Sequence, residues 1–171
     1  MADLIRRYVV MGVSGCGKST IAAALAREIG VPFLEGDALH PPANVAAMAA
    51  GRPLDDAMRA PWLDAIAARL QQAEAPGLVV ACSALKRAYR ARLAAGGPVT
   101  FLHLVLSEAE ARERVGARPG HFMPDTLVAS QFAALEPLGA DEPGWQVQAT
   151  LPEAEILRQL AARIAGAETR A

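Results

Sequence analysis

Aromatic residues, cysteine and excess charge are all scarce in this chain of 171 residues. Aromatic residues make up 5%, and the two cysteines, Cys16 and Cys82, are too few for a disulfide framework and lack metal-site spacing. We therefore expect two packed, reduced thiols. The formal net charge of −1 gives no electrostatic basis for binding nucleic acid or an anionic membrane, so neither is an expected partner.

Long apolar runs are absent as well, and none approaches the length that a membrane span needs. The first predicted strand begins within a few residues of the N-terminus, which leaves no room for a signal peptide. These absences predict a cytoplasmic protein. Hydrophobic residues make up 53% of the chain, which is enough for a single α/β domain over residues 1–171.

Residues 12–20 read G-V-S-G-C-G-K-S-T and fit the phosphate-binding pattern G-x-x-x-x-G-K-[ST]. The residue types before and after them predict a strand over 7–11 and a helix over 20–29. Glycines permit positive φ, so backbone amides can point at an anion, and the helix N-terminus adds its positive dipole end. The predicted ATP-binding residues of this loop are Gly12, Ser14, Gly15, Cys16, Gly17, Lys18, Ser19 and Thr20.

Two residues of the loop have roles in chemistry. Lys18 is expected to reach the β- and γ-phosphates as a catalytic residue, and the Ser19 hydroxyl to ligate Mg²⁺. A chance glycine turn is disfavoured because every fixed position of the pattern is filled. The dinucleotide-binding motif G-x-G-x-x-G is not present, since Thr20 stands where the third glycine belongs. The predicted cofactors are ATP and Mg²⁺.

An acidic pair, Glu35 and Asp37, lies at the end of the next predicted strand, over residues 31–35. In an open parallel sheet this position lies at the same edge as the phosphate loop. We expect Glu35 to hold Mg²⁺ through water and Asp37 to orient the attacking substrate hydroxyl and accept its proton. The alternative is a capping Asp and a solvated Glu ahead of the next helix.

Basic residues follow two further segments. Arg59 precedes a predicted helix that follows residue 63 and runs to about residue 74, and its guanidinium could clamp a carboxylate. Lys86, Arg87 and Arg90 come after an apolar strand predicted over 78–82, in the ligand-binding half of the sheet, and are candidates for an anionic substrate. An ordinary solvated helix face is the alternative.

A broken helix follows the fourth strand, predicted over 99–106. Ser107 and Glu110 form a capping box, and the helix that they open carries arginines and is interrupted at Pro119-Gly120. A second helix is predicted over 125–135. This pattern predicts a lid at about residues 112–128 that brings Arg114 and Arg118 to the phosphates, with Arg118 catalytic. A plain helix–turn–helix with solvated arginines is the alternative.

Strands alternate with helices along the whole chain, which predicts a parallel sheet covered on both faces. The fifth strand is predicted over 145–149, and Pro152 opens a last helix that ends near residue 164. Residues 166–171 are expected to be frayed.

Several blocks together make the sequence resemble the bacterial gluconokinases, P-loop kinases related to shikimate and adenylate kinases. Besides the phosphate loop they are E-G-D-A-L-H-P at 35–41, G-R-P-L-D-D-A-M-R-A-P-W-L at 51–63, C-S-A-L-K-R-A-Y-R at 82–90, H-F-M at 121–123 and S-Q-F-A-A-L-E-P-L at 130–138. The resemblance implies the P-loop kinase fold with strand order 2-3-1-4-5, a lid, and often a homodimer. It also implies transfer of the ATP γ-phosphoryl to the 6-hydroxyl of D-gluconate. The substrate-binding residues implied are Asp37, His40, Arg59, Lys86, Arg87, His121 and Gln131.

One position departs from the family pattern P-L-x-D-x-D-R-x-P-W-L. Met58 stands where the second Asp is usual, while Asp56 matches the first. We expect this change to affect substrate affinity more than phosphate chemistry. Two alternatives remain open: a P-loop kinase of another hydroxy acid such as shikimate, and a regulatory protein that binds ATP without transferring phosphate.

Overall fold

Five parallel strands form the sheet at the centre of the computed structural model, which describes residues 5–119 and 125–170. Their order is β2-β3-β1-β4-β5, so the order 2-3-1-4-5 implied by the resemblance is confirmed. Each observed strand lies within two residues of its predicted bounds. The strands are β1 Arg6–Met11, β2 Phe33–Glu35, β3 Gly77–Ala81, β4 Thr100–Val105 and β5 Gly144–Gln148.

Seven α-helices and a short 3-10 turn, Gly36–Leu39, connect the strands within the described residues. The helices are α1 Lys18–Ile29, α2 Pro42–Ala49, α3 Asp56–Gln71, α4 Arg87–Leu93, α5 Glu108–Gly116, α6 Asp125–Ala134 and α7 Glu153–Glu168. Every right-handed return between parallel strands brings the loops that follow the strands to one edge of the sheet. The phosphate loop, the 3-10 turn and the segment after β3 therefore meet at the carboxyl edge.

Two predicted helix boundaries are wrong. Helix α3 begins at Asp56 and not after residue 63, because the Asp55 carboxylate caps its N-terminus by accepting from the Met58 amide at 2.7 Å. Helix α7 continues past residue 164 to Glu168. There the Arg6 guanidinium lies 2.7 Å from the Glu168 carboxylate, in an orientation that gives an ion pair rather than a hydrogen bond. That contact joins Glu168, which lies in the stretch that was expected to fray, to β1.

The two central strands, β1 and β3, form the middle of the hydrophobic core. Val9 and Val10 pair in register with Val80 and Ala81, and all four are fully buried. Central strands of a parallel sheet are covered on both faces, so their sequences are continuous apolar runs. This is why the strands were readable from the sequence alone.

Both cysteines are free and buried, as predicted. Burial raises the pKa of the Cys82 thiol to about 12, so it stays protonated and unreactive at neutral pH. Among the helices of the described residues, none is long and apolar enough to cross a bilayer.

A buried polar cluster lies beneath the carboxyl edge, where His103 of β4 neighbours Arg90 of α4. Arg90 is 1% exposed, and its guanidinium binds both carboxylate oxygens of Glu142, at 2.6 and 2.8 Å. Arg90 also donates to the Ala84 carbonyl at 2.9 Å. Arg90 is therefore a structural residue, and its predicted contact with substrate is wrong because the side chain is enclosed and fully engaged.

His103 is neutral in the folded protein at neutral pH. Its side chain is buried, and its Nδ1 atom has no hydrogen-bond partner among the described residues. Burial, with a smaller contribution from the Arg90 charge, lowers the pKa of His103 from 6.5 to about 4. Protonation of this imidazole therefore favours the unfolded chain.

We predict that His103 makes the protein less stable in mild acid. Between pH 6.5 and about 4 the unfolded chain binds a proton at this position and the native state does not. Stability from this source is complete above pH 6.5 and falls as the pH drops, by up to about 3 kcal/mol. Denaturant melts of the wild type and His103→Leu across this range measure the effect, since all other titratable groups are common to both proteins. Parallel stability curves for the two proteins would contradict it.

Candidate active site

The phosphate loop connects the end of β1 to the start of α1. Gly15 and Gly17 both have φ of 87°, the left-handed region that favours glycine. Gly17 is the N-cap residue of α1 and no side chain caps this helix. Within the described residues, the backbone amides of Lys18, Ser19 and Thr20 donate to no acceptor. These unsatisfied donors and the helix dipole form a binding site for a phosphate anion.

Three residues of the predicted phosphate-binding set use their amides inside the protein instead, and one of them is Ser14, whose amide donates to the Gln131 side chain. The Gly12 amide donates to the Ser83 carbonyl at 3.2 Å, and the Cys16 amide donates to the Val13 carbonyl at 3.2 Å. A Cβ on Gly12 would lie 2.8 Å from Cys16 Sγ and 2.9 Å from the Leu104 carbonyl oxygen. Gly12 and Cys16 therefore shape the loop, and their amides are not placed as phosphate donors.

The 3-10 turn after β2 carries the acidic pair to the same edge. A Cβ on Gly36 would lie 2.3 Å from the Ala81 carbonyl oxygen, so only glycine lets this turn close onto the end of β3. Asp37 follows, and its side chain is 64% exposed. The Glu35 carboxylate is 3.4 Å from the Asp37 amide, a long contact at the start of the turn.

A pocket of about 100 Å³ lies between the phosphate loop and this turn. Lys18 of α1 and Asp37 both line this pocket. Two residues that the sequence analysis named as catalytic therefore lie in one place. Glu35 is not among its lining residues. The pocket is lined by Ser14, Lys18, Asp37, His40, Met48, Pro53, Leu54, Arg59, Trp62, Ser83, Leu85, Leu127, Ser130 and Gln131.

His40 forms one wall of the pocket through its packing on Trp62. The two rings stack with centroids 4.1 Å apart and planes 15° apart, and Trp62 donates through Nε1 to the Gly36 carbonyl at 2.8 Å. Burial lowers the pKa of His40, an effect that Asp37 opposes and Arg59 reinforces. The imidazole is therefore neutral at neutral pH, with donor and acceptor nitrogens in the pocket wall. Sequence reasoning missed Trp62, although it lies in the P-W-L block.

Arg59 lines the pocket and is held by a chain of hydrogen bonds. Its Nη1 donates to the Tyr89 hydroxyl at 3.1 Å, and that hydroxyl donates in turn to the Asp56 carboxylate. Lys86 donates to the same carboxylate at 3.1 Å, and these two donors lower the pKa of Asp56. Lys86 is not among the lining residues, because Asp56 holds its ammonium. Arg59 thus lines the pocket, whereas Lys86 does not line it and binds Asp56 instead.

Met58 contributes its backbone to the site. Its amide donates to Asp55 at 2.7 Å, and its carbonyl accepts from Asn44 Nδ2 at 2.9 Å. The Met58 side chain is not among those that line the pocket. Arg59, the next residue, is held by Tyr89, whose hydroxyl donates to Asp56.

Arg87 lies away from the pocket. It forms an ion pair with Asp141, with one contact of 3.0 Å, and its amide donates to Glu136 at 2.6 Å. The prediction that Arg87 contacts substrate therefore finds no support in the lining of the pocket. The acidic residues that hold it belong to a loop that sequence reasoning left without a role, although Asp141-Glu142 was a visible signal.

The two lid arginines have different surroundings. Arg114 of α5 donates to the Gly15 carbonyl at 3.3 Å and to the Ala149 carbonyl at 2.8 Å. It therefore braces the phosphate loop from behind, and a free lid position is wrong for this side chain. Arg118 lies two residues beyond the end of α5 and is exposed. His121 falls outside the described residues.

Helix α6 contacts the phosphate loop through Gln131. Gln131 Oε1 accepts from the Ser14 amide at 2.7 Å, and Gln131 Nε2 donates to Ser14 Oγ at 3.0 Å. Both side chains line the pocket. The predicted substrate residue Gln131 thus lies where the phosphate loop and the pocket meet.

A parallel sheet of this order, an uncapped helix N-terminus with Lys18 beside it, and a polar pocket with a carboxylate opposite define a P-loop kinase.

Comparison with known proteins shows which family of P-loop kinases this chain resembles. A family model described as an AAA domain matches residues 8–138. A gluconokinase of Gluconobacter oxydans is 48% identical over 158 residues, which cover 91% of this chain and 89% of that protein. The thermoresistant gluconokinase of Escherichia coli is 43% identical over 139 residues, 79% of each chain. The chain belongs to the gluconokinase family.

Solved structures agree with this placement. A gluconokinase from Sinorhizobium meliloti superposes with a TM-score of 0.87 at 44% identity, covering 95% of this chain and 93% of that one. A shikimate kinase from Aquifex aeolicus superposes with a TM-score of 0.68 over 95% of this chain. At 14% identity this second likeness shows a common fold alone.

We predict that Arg114 contributes to the stability of the fold and that Arg118 does not. Arg114→Ala removes two hydrogen bonds to carbonyls and should lower the free energy of unfolding by about 1–3 kcal/mol. Arg118→Ala, at an exposed position, should change it by less than about 0.5 kcal/mol. Denaturant melts of the two variants measure this. Equal stability of both variants would contradict the bracing role of Arg114.

Proposed function

We propose that the protein transfers the γ-phosphoryl group of ATP to the 6-hydroxyl of D-gluconate and releases 6-phospho-D-gluconate. The observation that carries the proposal is the shared pocket, in which Ser14 and Lys18 of the phosphate loop face Asp37, His40 and Arg59. Family membership supports the choice of gluconate, since the relatives are gluconokinases.

The phosphate loop would bind ATP through Lys18 and the amides at the N-terminus of α1. Ser19 is exposed on the first turn and fits Mg²⁺, which takes one or two protein ligands and keeps several waters. Glu35, at the end of β2, would act through one of those waters. Mg²⁺ bound there would neutralise charge on the phosphate oxygens.

Asp37 would orient the gluconate hydroxyl and accept its proton during transfer. Its carboxylate is partly exposed and faces the same pocket as Lys18, so a hydroxyl bound between them approaches the phosphoryl group without a large movement of the chain. Little covalent chemistry is needed from the protein, because phosphoryl transfer depends mainly on positioning and charge neutralisation.

Arg59 would bind the gluconate carboxylate. Together with Lys86 and Asp56 it forms a cluster of two positive charges and one negative charge, which leaves one positive charge to attract an anion. The Tyr89 hydroxyl occupies one Nη1 donor, and the remaining donors of the guanidinium fork suit a carboxylate. His40, Gln131 and His121 are proposed for the sugar hydroxyls.

Three further properties belong to the same proposal. The lid is proposed for residues 112–128, with Arg118 rather than Arg114 as the arginine that reaches the phosphoryl group. A homodimer is proposed from the family resemblance, and light scattering would measure it. The cytoplasm, which supplies ATP, is the proposed compartment.

We predict ADP release that depends on gluconate. A coupled assay with gluconate, shikimate, other sugar acids and nucleoside monophosphates should give turnover with gluconate, and Lys18→Ala should remove it while leaving the melting temperature near that of the wild type. Preference for shikimate would indicate a P-loop kinase of another hydroxy acid. ATP binding by calorimetry without turnover on any acceptor would indicate a regulatory protein that binds ATP without transferring phosphate.

We predict that Asp37→Asn reduces kcat by about 10²-fold or more, the scale of a lost general base. The amide keeps the size of the side chain but cannot accept the hydroxyl proton. ATP binding without gluconate, measured by calorimetry, should change little. A variant that loses ATP affinity but keeps turnover at saturating ATP would place Asp37 with the metal instead.

A further inference from the structure

Asn44 is one of the few polar residues that the core of this protein encloses. It lies on α2, is 2% exposed, and does not line the pocket. Its amide nitrogen Nδ2 is 2.9 Å from the Met58 carbonyl oxygen and 3.2 Å from His40 Nδ1. Both contacts involve the same nitrogen, which carries two hydrogens. Asn44 thus joins α3 to the histidine in the pocket wall.

The contact with Met58 determines which way the Asn44 amide faces. A backbone carbonyl can only accept a hydrogen bond, so the atom next to it must be the amide nitrogen. The opposite orientation would place two oxygens against each other in a buried site, and that arrangement is costly. The second hydrogen of Nδ2 is then directed at His40 Nδ1.

The orientation of the amide determines in turn the tautomer of His40. Nδ1 must accept from Asn44, so in the neutral imidazole the proton lies on Nε2. Nε2 faces Asp37, at 3.8 Å from its Oδ1 atom, which is too long for a direct hydrogen bond. An oxygen at about 2.8 Å from each atom would complete a triangle of ordinary hydrogen-bond lengths.

We infer that Asn44 is a positioning residue that holds the His40 proton on Nε2, so that the imidazole donates to a substrate hydroxyl whose own proton is directed at Asp37. This rests on the proposed function, which makes that hydroxyl one of gluconate. The His40 side chain is 4% exposed and stacked on Trp62, so the ring cannot turn to present its other nitrogen. The charged groups that act on it are Asp37 and Arg59.

Nitrogen NMR of the imidazole tests the tautomer without any assay of activity. The chain has three histidines, so single substitutions assign the spectrum. In the wild-type protein at neutral pH, His40 should show a proton on Nε2 and a hydrogen-bonded, unprotonated Nδ1. Asn44→Asp replaces the donor with an acceptor and should move the proton to Nδ1. Ala47→Gly, which loosens the same helix without touching the amide, should leave the His40 signals unchanged. A wild-type His40 with its proton on Nδ1 would overturn the inference.

Gluconate kinetics test the use of the Nε2 donor. The amide nitrogen of glutamine reaches about as far as Nε2, whereas that of asparagine reaches only as far as Nδ1. His40→Asn should raise the KM for gluconate by about tenfold, as expected for one lost hydrogen bond. His40→Gln should raise it less than His40→Asn, and the KM for ATP should change little in both. Equal gluconate KM values for the two variants would overturn the role of Nε2. If the wild type does not use gluconate at all, the proposed function fails, while the tautomer is still decided by the NMR spectrum.

Discussion

The phosphate loop can bind an anion only while its backbone stays in a conformation that leaves the amides at the N-terminus of α1 unsatisfied. Contacts from several directions hold it there. The Gly12 amide binds the Ser83 carbonyl after β3, and Arg114 binds the Gly15 carbonyl from α5. Gln131 of α6 binds Ser14 from the pocket side. The open N-terminus of α1 is therefore stabilised by its surroundings, as preorganised electrostatic sites require.

Neighbouring residues also support the part of the pocket where the gluconate hydroxyl is proposed to bind. Gly36 lets the 3-10 turn close on β3, Trp62 binds that turn, and His40 stacks on Trp62. Arg59 is oriented by the Tyr89 hydroxyl. His40 and Arg59 are thus each held by a neighbour, and such support limits the freedom that substrate binding would otherwise have to remove.

A buried ion pair joins α4 to the loop before β5. Arg90 and Glu142 are hydrogen-bonded on both oxygens, and Arg90 also binds the carbonyls of Ala84 and Leu85. Ala84 has a φ of 46°, uncommon for a residue with a Cβ. Because Ser83 and Leu85 on either side of it line the pocket, this pair contributes to the shape of the site.

The sequence by itself determined the strands, the phosphate loop and the family, because these depend on local patterns. Apolar runs specify buried strands, and residues 12–20 are contiguous, so neither needs knowledge of distant contacts. It also indicated Asp37, His40 and Arg59, which lie in short blocks that end near the carboxyl edge. Only the tertiary structure decided which of the basic side chains line the pocket and which are held elsewhere by other residues. Arg87, Arg90 and Arg114 look alike in sequence, but each binds at least one partner that lies roughly 35 to 100 residues away along the chain. A side chain's charge is a property of the sequence, whereas the acceptor that occupies it is a property of the fold.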